Sequence, residues 1–107
     1  MVTYNKAIRD RIPEIIKKSG YDCNIKKLSD GDFLSELEKK LGEELEEYGE
    51  SKSVEELADI LEIIYRISDL RGIKKEQLEE LRIKKALERG AFRDNLFLID
   101  TTKPENS

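Results

Sequence analysis

The stretch DFLSELEKKLGEELEEYGESKSVEELADILEIIYRISDL, residues 32–70, decides the fold. Leu34, Leu37, Leu41, Leu45 and Tyr48 recur at the spacing of one helical face, which predicts a helix from Asp32 to Glu50. Gly49 to Ser53 breaks the pattern. Ser53 and Glu56 then read as an S-x-x-E capping box opening a further helix, which runs to about Leu70 before Gly72 stops it. Val54, Leu57, Ile60, Leu61, Ile63, Ile64 and Ile67 cover much of that helix's circumference, so it should be the most buried element of the chain.

Four carboxylates in the same stretch form two one-turn pairs, Glu44 with Glu47 and Glu56 with Asp59. Residues three apart share a helix face. On a wheel of about 100° per residue, Glu44 borders the leucine stripe and Glu47 lies about 60° further round, while Glu43 and Glu46 point away. Glu56 falls inside the apolar arc of its helix and Asp59 on the rim. An ionised carboxylate set among apolar groups is costly unless it is paired or coordinates a metal. Four oxygen ligands on two packed helices suit a hard divalent cation, whose usual enzymatic partner is a phosphate chain. The bland alternative is a solvated acidic face, and Glu56 also has its capping role.

Working outward, Ala7 to Lys18 reads as a first helix with Pro13 in its early part, stopped at Ser19-Gly20. Residues 22–28 and 95–100 each carry a short apolar pattern that would allow a two-stranded β element. Lys74 to Arg89 predicts a last helix stopped at Gly90. The expected architecture is therefore mainly α, a bundle of about four helices in one domain over residues 1–100, with a flexible tail over 101–107. Lys85 and Arg89 share a face of the last helix, and Lys6 and Arg9 cluster near the N-terminus. Either set suits phosphate, but taken alone each fits ordinary solvated positions better, Lys85 and Arg89 as cations favoured at a helix C-terminus.

The chain has 107 residues, of which 41% are charged, yet its net charge is only −4, so most charges are balanced. They are not mixed evenly: residues 36–62 hold eleven acidic and three basic residues. An acidic centre argues against a nucleic-acid polymer as partner. The absence of histidine excludes imidazole ligands and bases. The single cysteine, Cys23, excludes an internal disulfide and fits a reducing, cytoplasmic setting. No segment has the apolar length of a membrane span, and no signal-peptide pattern is present. A helix as apolar all round as 54–70 exceeds what one thin bundle covers, which favours a homo-oligomer.

The motifs together resemble the MazG-like nucleotide pyrophosphohydrolases, to which phosphoribosyl-ATP pyrophosphatases are related. The family motif E-x-x-E followed by E-x-x-D reads here as Glu44-Leu-Glu-Glu47 and Glu56-Leu-Ala-Asp59. The opening Tyr4-Asn-Lys-Ala-Ile-Arg-Asp-Arg-Ile-Pro13 and the closing Lys84-Lys-Ala-Leu-Glu-Arg-Gly-Ala-Phe92 are similar to the terminal signatures of a small phosphoribosyl-ATP pyrophosphatase-like subgroup. The resemblance spans about residues 3 to 100. Eight residues separate Glu47 from Glu56, a shorter spacer than in many members, leaving little loop to contact a base.

The resemblance implies a MazG-like helical bundle that forms dimers or tetramers. It implies cleavage of a nucleoside triphosphate between the α- and β-phosphates, with Mg²⁺ (or Mn²⁺) held by Glu44, Glu47, Glu56 and Asp59. Glu47 would orient or deprotonate the attacking water. Lys85 and Arg89, and less directly Lys6 and Arg9, would bind the phosphates. The alternatives are phosphoribosyl-ATP hydrolysis on the same carboxylates, or a catalytically silent nucleotide-binding oligomer.

Overall fold

A computed structural model describes residues 1–105 as four helices: α1 Ile12–Lys18, α2 Asp30–Ser51, α3 Val54–Leu70 and α4 Lys75–Arg89. The chain is mainly α, as its periodicity predicts, and no strand occurs among the described residues.

α2 and α3 form the frame. The Ser29 hydroxyl accepts the Asp32 N–H at 3.1 Å and starts α2 two residues earlier than the leucine pattern indicates. The helix runs through Gly49 to Ser51, and only Lys52 and Ser53 separate it from α3. Lys52 makes this turn in the left-handed region (φ 57°), and its N–H donates to the Tyr48 carbonyl at 2.9 Å. So short a link folds α3 back along α2. At the open end of the hairpin, Arg71 Nη2 meets Glu38 Oε2 at 2.8 Å.

The expected capping box at α3 does not form. The Ser53 hydroxyl accepts the Glu55 N–H at 3.2 Å, but the Ser53 N–H donates to Ser51 Oγ rather than to Glu56. Glu56 is thereby released from capping.

α1 is shorter than the expected span of 7–18. Pro13 cannot donate to the Arg9 carbonyl, and its ring would clash there, so the helix begins only at Ile12. The residues before it cross the hairpin in irregular conformation. Ala7 is buried against Leu37 and Ile63, with Phe33, Leu41, Ile67 and Leu70 packed around them. This small cluster fixes residues 6–9 beside α2 and α3.

Among the described helices, α4 packs on α3 alone. The connection turns at Gly72 (φ 86°), where the Ile73 N–H reaches the Ser68 carbonyl at 2.9 Å. Lys75 Nζ sits 4.5 Å from the centre of the Tyr65 ring. Gln77 Oε1 accepts the Lys74 N–H at 2.9 Å and caps the helix start.

The optional β element over 22–28 and 95–100 is not formed. Leu96, Phe97, Leu98 and Ile99 are 78–89% exposed and Ile25 is 64% exposed, so neither segment has a core to lie on. A two-stranded ribbon without one is marginal in water. Residues 101–105 carry no helix or strand, and the last two positions of the expected tail lie outside the described residues. No described helix is long and apolar enough to cross a membrane.

Candidate metal centre

Antiparallel packing of α2 on α3 brings the late part of one helix against the first turns of the other. Glu44, Glu56 and Asp59 each present a carboxylate oxygen within 4.8 Å of the others, and all three residues are half-buried. The leucine stripe turns Glu44 inward. The buried pair Ile60 and Ile63 does the same for Glu56 and Asp59, one turn earlier on α3.

Glu56 is the most constrained of the three. Its Oε2 is buried and has no hydrogen-bond partner. Glu44 takes up its proton above the usual carboxylate range. The largest cause is a hydrogen bond with Glu56, followed by burial and the negative charge of Glu56, while Lys40 and Glu47 pull the other way. Two carboxyls share such a bond only when one is protonated. With both ionised, the cluster is left with like charges side by side and one buried lone oxygen.

Glu47 stands outside the trio, exposed, on the solvent side of Glu44. Its proton affinity is raised too, mainly by the charge of Glu44. Glu43 and Glu46 are exposed.

Two cations border the carboxylates. Arg9 Nη2 pairs with Asp59 Oδ1 at 2.7 Å. Lys40 Nζ lies 3.7 Å from Glu44 Oε1, with both side chains largely covered. Lys40 did not stand out in the sequence, although its i, i+4 spacing to Glu44 was the available signal. Lys6, over the Tyr4 ring at 5.2 Å, also lowers the proton affinity of Glu47 through its charge. Lys6, Lys39 and Lys40 line one shallow depression where the N-terminal segment crosses α2.

Lys85 and Arg89 are not part of this arrangement. Both are exposed on the later half of α4, and neither forms an ion pair among the described residues. The N-terminal cations, not those of α4, adjoin the carboxylates of their own chain.

No family model, curated protein or solved structure matches this chain.

Proposed function

We propose that the protein is a Mg²⁺-dependent pyrophosphohydrolase that cleaves a nucleoside triphosphate between the α- and β-phosphates, within a MazG-like family. The observation that carries this reading is the buried, unpartnered Oε2 of Glu56 in a trio of carboxylates. A hard cation fits that donor set. The carboxylate oxygens of Glu44, Glu56 and Asp59 already lie within 4.8 Å of one another, so side-chain adjustment would bring all three onto one cation. Mn²⁺, which also takes oxygen ligands, suits the same residues.

Glu44, Glu56 and Asp59 would hold the cation. Bound there, it supplies charge neutralisation for the phosphates and acidifies a coordinated water. Glu47 keeps a raised proton affinity at the exposed edge, which suits a group that accepts a proton from the attacking water. Arg9 steadies Asp59 and offers its remaining N–H groups to phosphate oxygens. Lys6 and Lys40 add positive charge on the α2 side. Within one chain these three serve the phosphates better than Lys85 and Arg89 do.

Phosphoribosyl-ATP presents the same bond to the same carboxylates, so the substrate is separated only by assay. The test is pyrophosphate release with Mg²⁺ across canonical, deoxy and modified nucleoside triphosphates and phosphoribosyl-ATP. Release from at least one, lost in Glu56→Gln with helicity retained, is the expected result. Nucleotide binding without release from any would refute the enzymatic reading. The reading includes a homo-oligomer, because α3 leaves Val54, Leu57 and Leu61 on its surface.

A further inference from the structure

The chain is far too extended for its mass. Its radius of gyration is 19.7 Å and its extents are 72 × 32 × 21 Å. A compact domain of this length has a radius of about 13 Å. Its accessible surface is 10127 Å². A folded monomer of 12.4 kDa exposes about 6,100 Å². The excess of about 4,000 Å² is more than each subunit buries in most obligate dimers, about 1,000–2,500 Å².

Two exposed apolar surfaces lie within it. One is an arm: Leu87, at 83% exposed, lies in the last turn of α4, and Phe92, Leu96, Phe97, Leu98 and Ile99 follow in irregular, exposed chain. Nine residues from 91 to 99 can reach about 30 Å. The other is a stripe on α3, where Val54, Leu57 and Leu61 at i, i+3, i+7 remain 77%, 44% and 46% exposed beside the buried Ile60 and Ile63.

The charges around the two surfaces are complementary. Residues 82–93 carry five basic side chains (Arg82, Lys84, Lys85, Arg89, Arg93) and one acidic, Glu88. The hairpin that bears the stripe holds eleven acidic and three basic residues over 36–62. The arm leaves α4 through Gly90 (φ 85°) and turns again at Asn95 (φ 55°), and Phe92, Leu96, Phe97, Leu98 and Ile99 all stay exposed in their own chain.

We propose that residues 87–99 of one chain dock on the α3 stripe of a second copy, and that the exchange is reciprocal. Phe97 and Leu98 of the arm cover Leu57 and Leu61 of the partner subunit, while the basic end of α4 lies along its acidic hairpin. The twofold arrangement closes on itself, so it yields a dimer rather than a fibre. This deepens the oligomeric part of the proposed function and does not rest on its chemistry.

Sedimentation velocity on the full chain from about 1 to 100 µM tests the proposal. The expected species has about 25 kDa, twice 12.4 kDa. Phe97→Asp and Leu98→Asp should each raise the dissociation constant at least about 100-fold, with helical circular dichroism unchanged. In a Cys23→Ser background, mixing a Leu57→Cys chain with a Phe97→Cys chain should give a disulfide-linked pair under mild oxidation. That cross-link decides the matter even if the charged variants fold poorly. A wild-type monomer at 100 µM would overturn the oligomer altogether. A dimer that survives both arm variants, or a mixture that does not cross-link, would overturn the arm exchange alone. So would a Leu57→Cys/Phe97→Cys chain that closes on itself as a monomer.

Discussion

Arg9 Nη2 lies 2.7 Å from Asp59 Oδ1, across fifty positions of sequence. The pair ties the N-terminal crossing segment to the carboxylate cluster. Burial of Ala7 between α2 and α3 supplies the packing that holds it there.

The Arg9 side chain is 56% exposed and that of Asp59 44%, so the ion pair itself contributes little stability. Arg9→Ala should lower stability by under about 1 kcal/mol. It should tighten Mg²⁺ binding several-fold, because a positive charge beside a ligand oxygen is gone, and raise KM for the nucleotide. Calorimetric titration with Mg²⁺ and steady-state kinetics check the two halves. An unchanged KM would remove Arg9 from phosphate recognition.

Glu56→Gln separates folding from function. The amide keeps the shape and removes one like charge from the trio, so the Mg²⁺-free protein should be more stable by about 1 kcal/mol. For a domain of this size that raises Tm by about 4–8 °C. The Mg²⁺-induced rise in Tm should vanish, and pyrophosphate release should fall by about 100-fold or more. Melting curves with and without Mg²⁺ measure the first two effects. A Mg²⁺ shift equal to that of the unaltered chain would contradict the ligand role.

Glu44 and Glu47 both bind protons more tightly when folded. Above the ordinary glutamate value of about 4.3, the native chain therefore carries more protons than the unfolded one, and stability from these groups falls as pH rises through that window. A cation replaces the protons, so stabilisation by Mg²⁺ should be larger near pH 7.5 than near pH 5. Glu44→Gln should flatten both trends. Melts at several pH values and constant ionic strength provide the comparison. Equal Mg²⁺ shifts at the two ends would contradict it.

Two glycines should respond with opposite signs. Gly72 sits at φ 86°, where a Cβ meets no neighbour, so the cost of Gly72→Ala is purely one of backbone strain, about 1 kcal/mol. Gly42 lies inside α2, also with open space around it, and Gly42→Ala should stabilise by about 0.5–1 kcal/mol. Denaturant midpoints for the pair test this, and the same sign for both would contradict it.

The helices were legible because their cause is local. Leu34, Leu37, Leu41 and Tyr48 are buried or half-buried along α2, as their spacing requires, and Ile60 and Ile63 do the same for α3. Leu45, Val54, Leu57 and Leu61 match the same patterns but remain exposed. Periodicity reports which face is apolar, not whether anything covers it. The β pairing failed for a related reason: alternation in 22–28 and 95–100 says nothing about whether two distant segments meet. At the carboxylates, helical spacing and wheel position group Glu44, Glu47, Glu56 and Asp59 and set Glu43 and Glu46 outside; the structure gathers Glu44, Glu56 and Asp59 and leaves Glu47 exposed beside them. The partners contributed by tertiary structure, above all Arg9 on Asp59, follow from where Ala7 packs, and no local pattern encodes that.

Surface connections usually accept extra residues at small cost. The two-residue link at Lys52 and Ser53 works as a gauge instead. Each residue inserted between 51 and 54 would turn α3 by about 100° relative to α2 or slide it by about 1.5 Å. Either displacement carries Glu56 away from Glu44 while leaving both helices intact. Length variation at this point therefore acts on the carboxylate cluster and on the packing of Ile63 against Leu37 and Ala7 together.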